Sequence, residues 1–126
     1  MMSRAIGIVL LFTALAVPAE AKWVLLGART VSDRLDHDTI TVTASRGEFT
    51  RLKFSVERVP VQFHRVVVRY GNGESDEIEM RERVRAGGET RAIDLRGGDR
   101  VIRTIDFWYD ANSVRKKAVV RVWGWR

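Results

Sequence analysis

Nucleophiles, bases and metal ligands are scarce in this 126-residue sequence. It has no cysteine and two histidines, so it can build no disulfide, thiolate metal site or thiol nucleophile, and little is left for a His-rich zinc site. His37 alone has acidic company, in the run Asp33, Asp36, Asp38. Those carboxylates could offer oxygen to a hard cation, but the run lacks the glycine and the terminal bidentate glutamate of a dedicated calcium loop. It predicts a solvated turn in which aspartates bond local amides. His64 lies among apolar residues and reads as an ordinary packed or edge histidine. The serines at 32, 45, 55, 75 and 113 occupy no Gly-x-Ser-x-Gly elbow, and sixteen acidic residues supply many carboxylate pairs but none marked out by context. Arg96-Gly97-Gly98-Asp99 reads as a hairpin turn, since the extra glycine breaks the adhesion tripeptide. No catalytic residue, metal ligand or cofactor is therefore assigned.

Binding chemistry is better represented. The net charge is +6, carried by eighteen arginines and four lysines. Arginine's planar fork suits carboxylates, phosphates and sulfates and stacks on aromatic faces, although many of these arginines alternate with acids as cross-strand ion pairs would. No block of five or six like charges marks a nucleic-acid tail, so no nucleic acid is expected. Three of the four tryptophans, Trp108, Trp123 and Trp125, cluster near the C-terminus. If Ile105, Phe107 and Tyr109 face inward, Trp108 faces outward. If Ala118, Val120 and Val122 face inward, Arg121, Trp123 and Trp125 face outward. Trp108, Arg121, Trp123 and Trp125 are thus the candidate ligand-binding residues, a flat aromatic surface beside a guanidinium. The competing expectation is that both sheet faces are partly covered, or that a bulge turns Trp123 inward, leaving the rings as core or rim. Trp23 is expected to plug one end.

The elements that must position these side chains read as strands throughout. Leu52, Phe54 and Val56 alternate with Arg51, Lys53, Ser55 and Glu57, which gives one dry and one wet face. Over Val61 to Tyr70 the parity of the apolar residues changes, so the strand is either buried on both faces or bulged near His64. Asp76 to Val84 sets Ile78 and Met80 against Glu77, Glu79 and Arg81, as a charged, protected edge would. Val101, Ile105, Phe107 and Tyr109 share a face, as do Ala118, Val120, Val122 and Gly124. Lesser runs are Trp23 to Leu26, Thr39 to Thr43 and Thr90 to Leu95. Gly71-Asn72-Gly73, Gly87-Gly88 and Gly97-Gly98 suit tight hairpins, while Arg46-Gly47 and Asn112-Ser113 suit looser turns. The pattern predicts an all-β fold, an antiparallel β-sandwich of about eight strands, with a small β-barrel as the alternative closure.

The first 21 residues belong to export. Arg4 precedes the uncharged stretch Ala5 to Val17. That stretch falls short of the roughly 20 helical residues needed to span a bilayer but suits a secretory h-region of about 7 to 15. Pro18 and the small-x-small triplet Ala19-Glu20-Ala21 close it. Cleavage after Ala21 leaves one domain, residues 22–126, with no transmembrane segment, in the periplasm or outside the cell.

Several stretches together resemble an uncharacterised family. They are Trp23 to Gly27, Phe49 with Leu52, the Val66 to Gly73 hairpin, Gly87-Gly88 with Arg91 and Ile93-Asp94-Leu95, Arg100 to Tyr109, and Ala118 to Gly124. The set is similar to small exported bacterial proteins with a periplasmic YaaI-type domain of unknown function. The resemblance implies a β domain outside the cytoplasm and carries over no site residue. The reading is a non-catalytic binding or interaction module, whose partner is a protein, a glycan or an anionic envelope component. One rival is an arginine-mediated binder of anionic envelope polymer or lipid headgroup. The other is a small hydrolase, which requires a cleft converging two titratable side chains.

Overall fold

A computed structural model of the protein describes residues 21–32, 35–111 and 116–126. The expected leader through Glu20, Asp33 and the turn expected at Asn112-Ser113 lie outside the described residues. Nine strands are described: β1 (Trp23–Val31), β2 (Asp36–Thr41), β3 (Glu48–Phe49), β4 (Arg51–Glu57), β5 (Val61–Tyr70), β6 (Ser75–Val84), β7 (Ile93–Asp94), β8 (Arg100–Asp110) and β9 (Ala118–Trp125), with one 3-10 turn at Ala44–Arg46. One sheet runs β1-β9-β4-β7; the other runs β2-β8-β5-β6, with β3 also on β8. Every pairing is antiparallel. The sheets do not close on one another, so the arrangement is a sandwich and the barrel alternative falls. No helix among the described residues is long and apolar enough to cross a membrane.

Alternation decides which face of each strand is dry. In β4, Leu52, Phe54 and Val56 are buried, and in β9 so are Ala118, Val120 and Val122. An aromatic cluster joins the sheets: the ring of Phe54 on β4 lies 5.1 Å from Phe63 on β5 and 5.5 Å from Phe107 on β8. Besides a slip between Leu25 and Gly27 where β1 meets β9, two register shifts re-aim the rest. Around Phe63 and Arg65 both partners of β5 slip, so His64 is the bulged residue and the apolar parity changes there as its sequence pattern demands. A second slip between Arg69 and Tyr70 seats Ile102 inward, where simple alternation points to Val101.

The glycine turns divide. Gly71-Asn72-Gly73 makes the β5–β6 hairpin, with Gly73 at φ 94° and its N–H bonded to the Tyr70 carbonyl at 3.1 Å. The other two pairs are not hairpins. Gly87-Gly88 carries the chain from β6 to the edge of β4, where the Gly87 N–H meets the Val56 carbonyl at 2.8 Å. Gly97-Gly98 carries it from β7 in one sheet to β8 in the other. The acidic run at 36–38 is not a turn either: it opens strand β2, paired with β8.

Candidate functional site

The outer face of the β1-β9-β4 sheet gathers three of the four tryptophans. Trp23 is opposite Trp125, and Leu25 is opposite Trp123. The rings of Trp23 and Trp125 lie 5.2 Å apart at 59°. Trp23 therefore does not plug an end of the sandwich; its strand parity sets it on the wet face. Polar side chains from β4 hold the rings. The Trp123 indole N–H donates to Ser55 Oγ at 2.9 Å, and the Lys53 ammonium sits over the Trp23 ring, 4.3 Å from its centroid. Lys53 is itself paired with Glu89 at 3.1 Å, and Arg121 with Glu57 at 2.9 Å. The tryptophans are partly buried and Leu25 is 39% exposed. The result is a fixed aromatic surface with donors and charges set between its rings.

Trp108 is elsewhere. β8 belongs to the second sheet, so its indole is on the opposite side of the sandwich from Arg121, Trp123 and Trp125. The four candidate residues therefore form two surfaces rather than one platform. Trp108 pairs with His37 of β2 on one side and Arg65 of β5 on the other. The imidazole stacks on it at 4.4 Å and 12°, and the guanidinium carbon lies 3.9 Å from its centroid. Both faces of this indole are occupied by the protein itself. Next along β8, Asp106 has a side chain only 8% exposed, although strand parity turns it outward. Thr39 Oγ1 and the Arg69 guanidinium donate to its carboxylate, and His37 Nε2 is 3.5 Å away. The threonine hydroxyl is spent on the carboxylate rather than on the imidazole.

No curated protein and no solved structure matches this chain. A family does: residues 5–124 match DUF2541, a domain of unknown function. The chain belongs to the DUF2541 family. That membership agrees with an uncharacterised family and assigns no residue a role.

One further cluster of this DUF2541 domain escapes sequence reasoning. Tyr70, Glu74, Asp76, Arg96 and Arg100 line an open cleft of about 460 Å³ beside the β5–β6 hairpin. The Tyr70 hydroxyl donates to Asp76 Oδ2 at 2.7 Å, and Arg96 Nε donates to Oδ1 of the same carboxylate at 2.8 Å. Arg100 lies over the Tyr70 ring at 3.7 Å and donates to Glu74 Oε1 at 2.6 Å. Burial, then the bond to the Asp76 carboxylate, pushes the Tyr70 phenol well above its ordinary range. The Arg96 hydrogen bond holds Asp76 below the usual carboxylate range, and those from Asn72 and Arg100 do the same for Glu74. Titratable groups do converge here, as a hydrolase requires. They converge as ion pairs, Arg96 with Asp76 and Arg100 with Glu74, with the Tyr70 hydroxyl bonded to the first. The signal for this cluster was faint, because Arg96 reaches Asp76 across twenty residues and an intersheet crossing.

Proposed function

We propose that this DUF2541 protein is an exported, non-catalytic module of the bacterial periplasm or envelope, and that it binds a glycan chain on the face formed by Trp23, Trp123 and Trp125. The carrying observation is the interleaving on that face. Trp23 and Trp125 meet as a ring pair, and Lys53, Ser55 and Arg121 set polar groups beside the rings of Trp23 and Trp123. A saccharide has the matching character, with an apolar C–H face to stack and a polar rim to bond, whereas a protein partner favours a wider apolar centre with charges at the edge. The hydrogen bond to Ser55 and the cation over Trp23 fix ring orientation beforehand, which lowers the ordering cost of binding. Trp108, enclosed by His37 and Arg65, is assigned to structure rather than to the ligand.

Export rests on the charged start, the apolar stretch, Pro18 and Ala19-Glu20-Ala21. Support comes from strand β1, which begins at Trp23, two residues beyond the cleavage point. Mass spectrometry of the protein recovered from periplasm should find Lys22 as its first residue; intact chain held in the cytosol overturns this part. For the binding face, the tryptophan emission of the purified protein is titrated with cellohexaose and with hexagalacturonate. At least one saccharide should shift it, and Trp123→Ala or Trp125→Ala should each weaken binding about tenfold or more, as removal of an anchoring ring does. No response to either saccharide, or unchanged binding in both variants, refutes the reading.

A further inference from the structure

Eight of the fifteen described arginines pair with carboxylates, among them Arg51 with Asp94, Arg65 with Glu77, Arg91 with Glu82 and Arg121 with Glu57. Of the seven that form no ion pair among the described residues, Arg46 and Arg126 share one corner. Arg46, in the 3-10 turn, donates from Nη1 to the Leu25 carbonyl at 3.1 Å on the free edge of β1. Arg126 follows β9 directly and donates from Nη1 to the Arg46 carbonyl at 2.6 Å. Its guanidinium carbon also lies 5.6 Å from the ring centroid of Phe49. Gly47 makes room for it: a Cβ there would stand 2.8 Å from Arg126 Nη1. The backbone of Lys22 pairs with that of Arg126 in both directions, at 2.7 and 3.1 Å.

Carbonyl groups fix these two guanidinium groups without neutralising them. Neither has an ion-pair partner among the described residues, and neighbouring Glu48 forms no ion pair with either. Each keeps further N–H donors after the one it spends on a carbonyl. The corner reaches the rim of the tryptophan face through Leu25, the residue opposite Trp123, whose carbonyl holds Arg46, while strand alternation turns Arg126 from Trp125 toward Phe49. Two preset, uncompensated forks beside a stacking surface suit an acidic group, which each can meet with charge-assisted bonds.

We infer that the glycan bound on the tryptophan face is acidic, and that Arg46 and Arg126 receive its carboxylate or phosphate groups. This rests on the glycan reading above and narrows it. The test compares hexagalacturonate with neutral cellohexaose, read by tryptophan emission in a Trp108→Phe background so that only the proposed face reports. Hexagalacturonate should bind at least about tenfold more tightly, since one charge-assisted bond is worth that much, and its affinity should fall as sodium chloride rises. Arg46→Gln with Arg126→Gln should abolish that preference while cellohexaose binding stays as it was. Equal, salt-insensitive affinity for the two saccharides overturns the inference and leaves the glycan reading standing. Silence with both refutes the glycan reading itself. Because the comparison of saccharides and the salt dependence are made on unsubstituted arginines, they decide the matter even if the double variant folds poorly.

Discussion

Replacing Asp76 tests the polar logic of the cleft beside the β5–β6 hairpin. Tyr70 is 1% exposed, and its hydroxyl donates to the Asp76 carboxylate. In Asp76→Ala the phenol is left buried and unpaired, which costs about 1–3 kcal/mol. The Arg96 contact adds little, because that side chain is 81% exposed and solvent-exposed pairs are worth roughly 0.2–1 kcal/mol. The sum is about 1–4 kcal/mol, or roughly 5–30 °C in melting temperature for a domain near 100 residues. Urea unfolding of wild type, Asp76→Ala, Tyr70→Phe and the double variant closes a thermodynamic cycle. A coupling of about 1–2 kcal/mol is expected, because the two groups share one hydrogen bond. The pH dependence has a fixed sign. Arg96 holds the folded carboxyl below its unfolded value of about 3.9, so the carboxylate's extra stability is fully present above that value and is lost as pH falls through the lower, folded one. The stability gap between wild type and Asp76→Asn should accordingly hold at neutral pH and narrow as pH falls below about 4. A loss under about 0.5 kcal/mol for Asp76→Ala, or strictly additive single substitutions, refutes the argument that Tyr70 depends on this partner.

Two further substitutions probe the packing that supports the tryptophan face. Thr90→Val removes the hydroxyl that accepts the Phe54 N–H at 3.0 Å in the buried edge of β4, so about 1–3 kcal/mol should be lost in urea unfolding; an unchanged midpoint would show that the amide finds another partner. Gly124→Ala puts a Cβ 2.6 Å from Phe49 Cδ1 and 3.1 Å from Leu26 Cδ1, beneath Trp123 and Trp125. It should cost about 1–3 kcal/mol through overpacking, and wild-type stability with unaltered tryptophan emission contradicts the close approach of β9 to Phe49.

Much of the architecture is legible because side-chain alternation is a local property. β9 alternates inward Ala118, Val120 and Val122 with outward Arg121, Trp123 and Trp125 as its letters require, and β6 stands at the sheet edge that its charges suggest. Even the bulge at His64 is visible as a change of parity within Val61–Tyr70. The candidate site was half legible: Trp123, Trp125 and Arg121 share one face, but Trp23 and Lys53 join them only through pairings with distant strands. Arg46 and Arg126 meet eighty residues apart through a carbonyl, which no pattern of residue types announces.

The sequence by itself determined that strands form, which of their faces are wet, where the Gly71–Gly73 hairpin turns, and that no cysteine cross-links the fold. Only the tertiary structure decided which sheet each strand joins. Gly97-Gly98 turns as readily into a neighbouring strand as across the sandwich, and Trp108 faces outward in either case. The side of the protein it occupies depends on long-range pairing of β8 with β2 and β5, whose energy comes from the shared Phe54, Phe63 and Phe107 core rather than from any local preference.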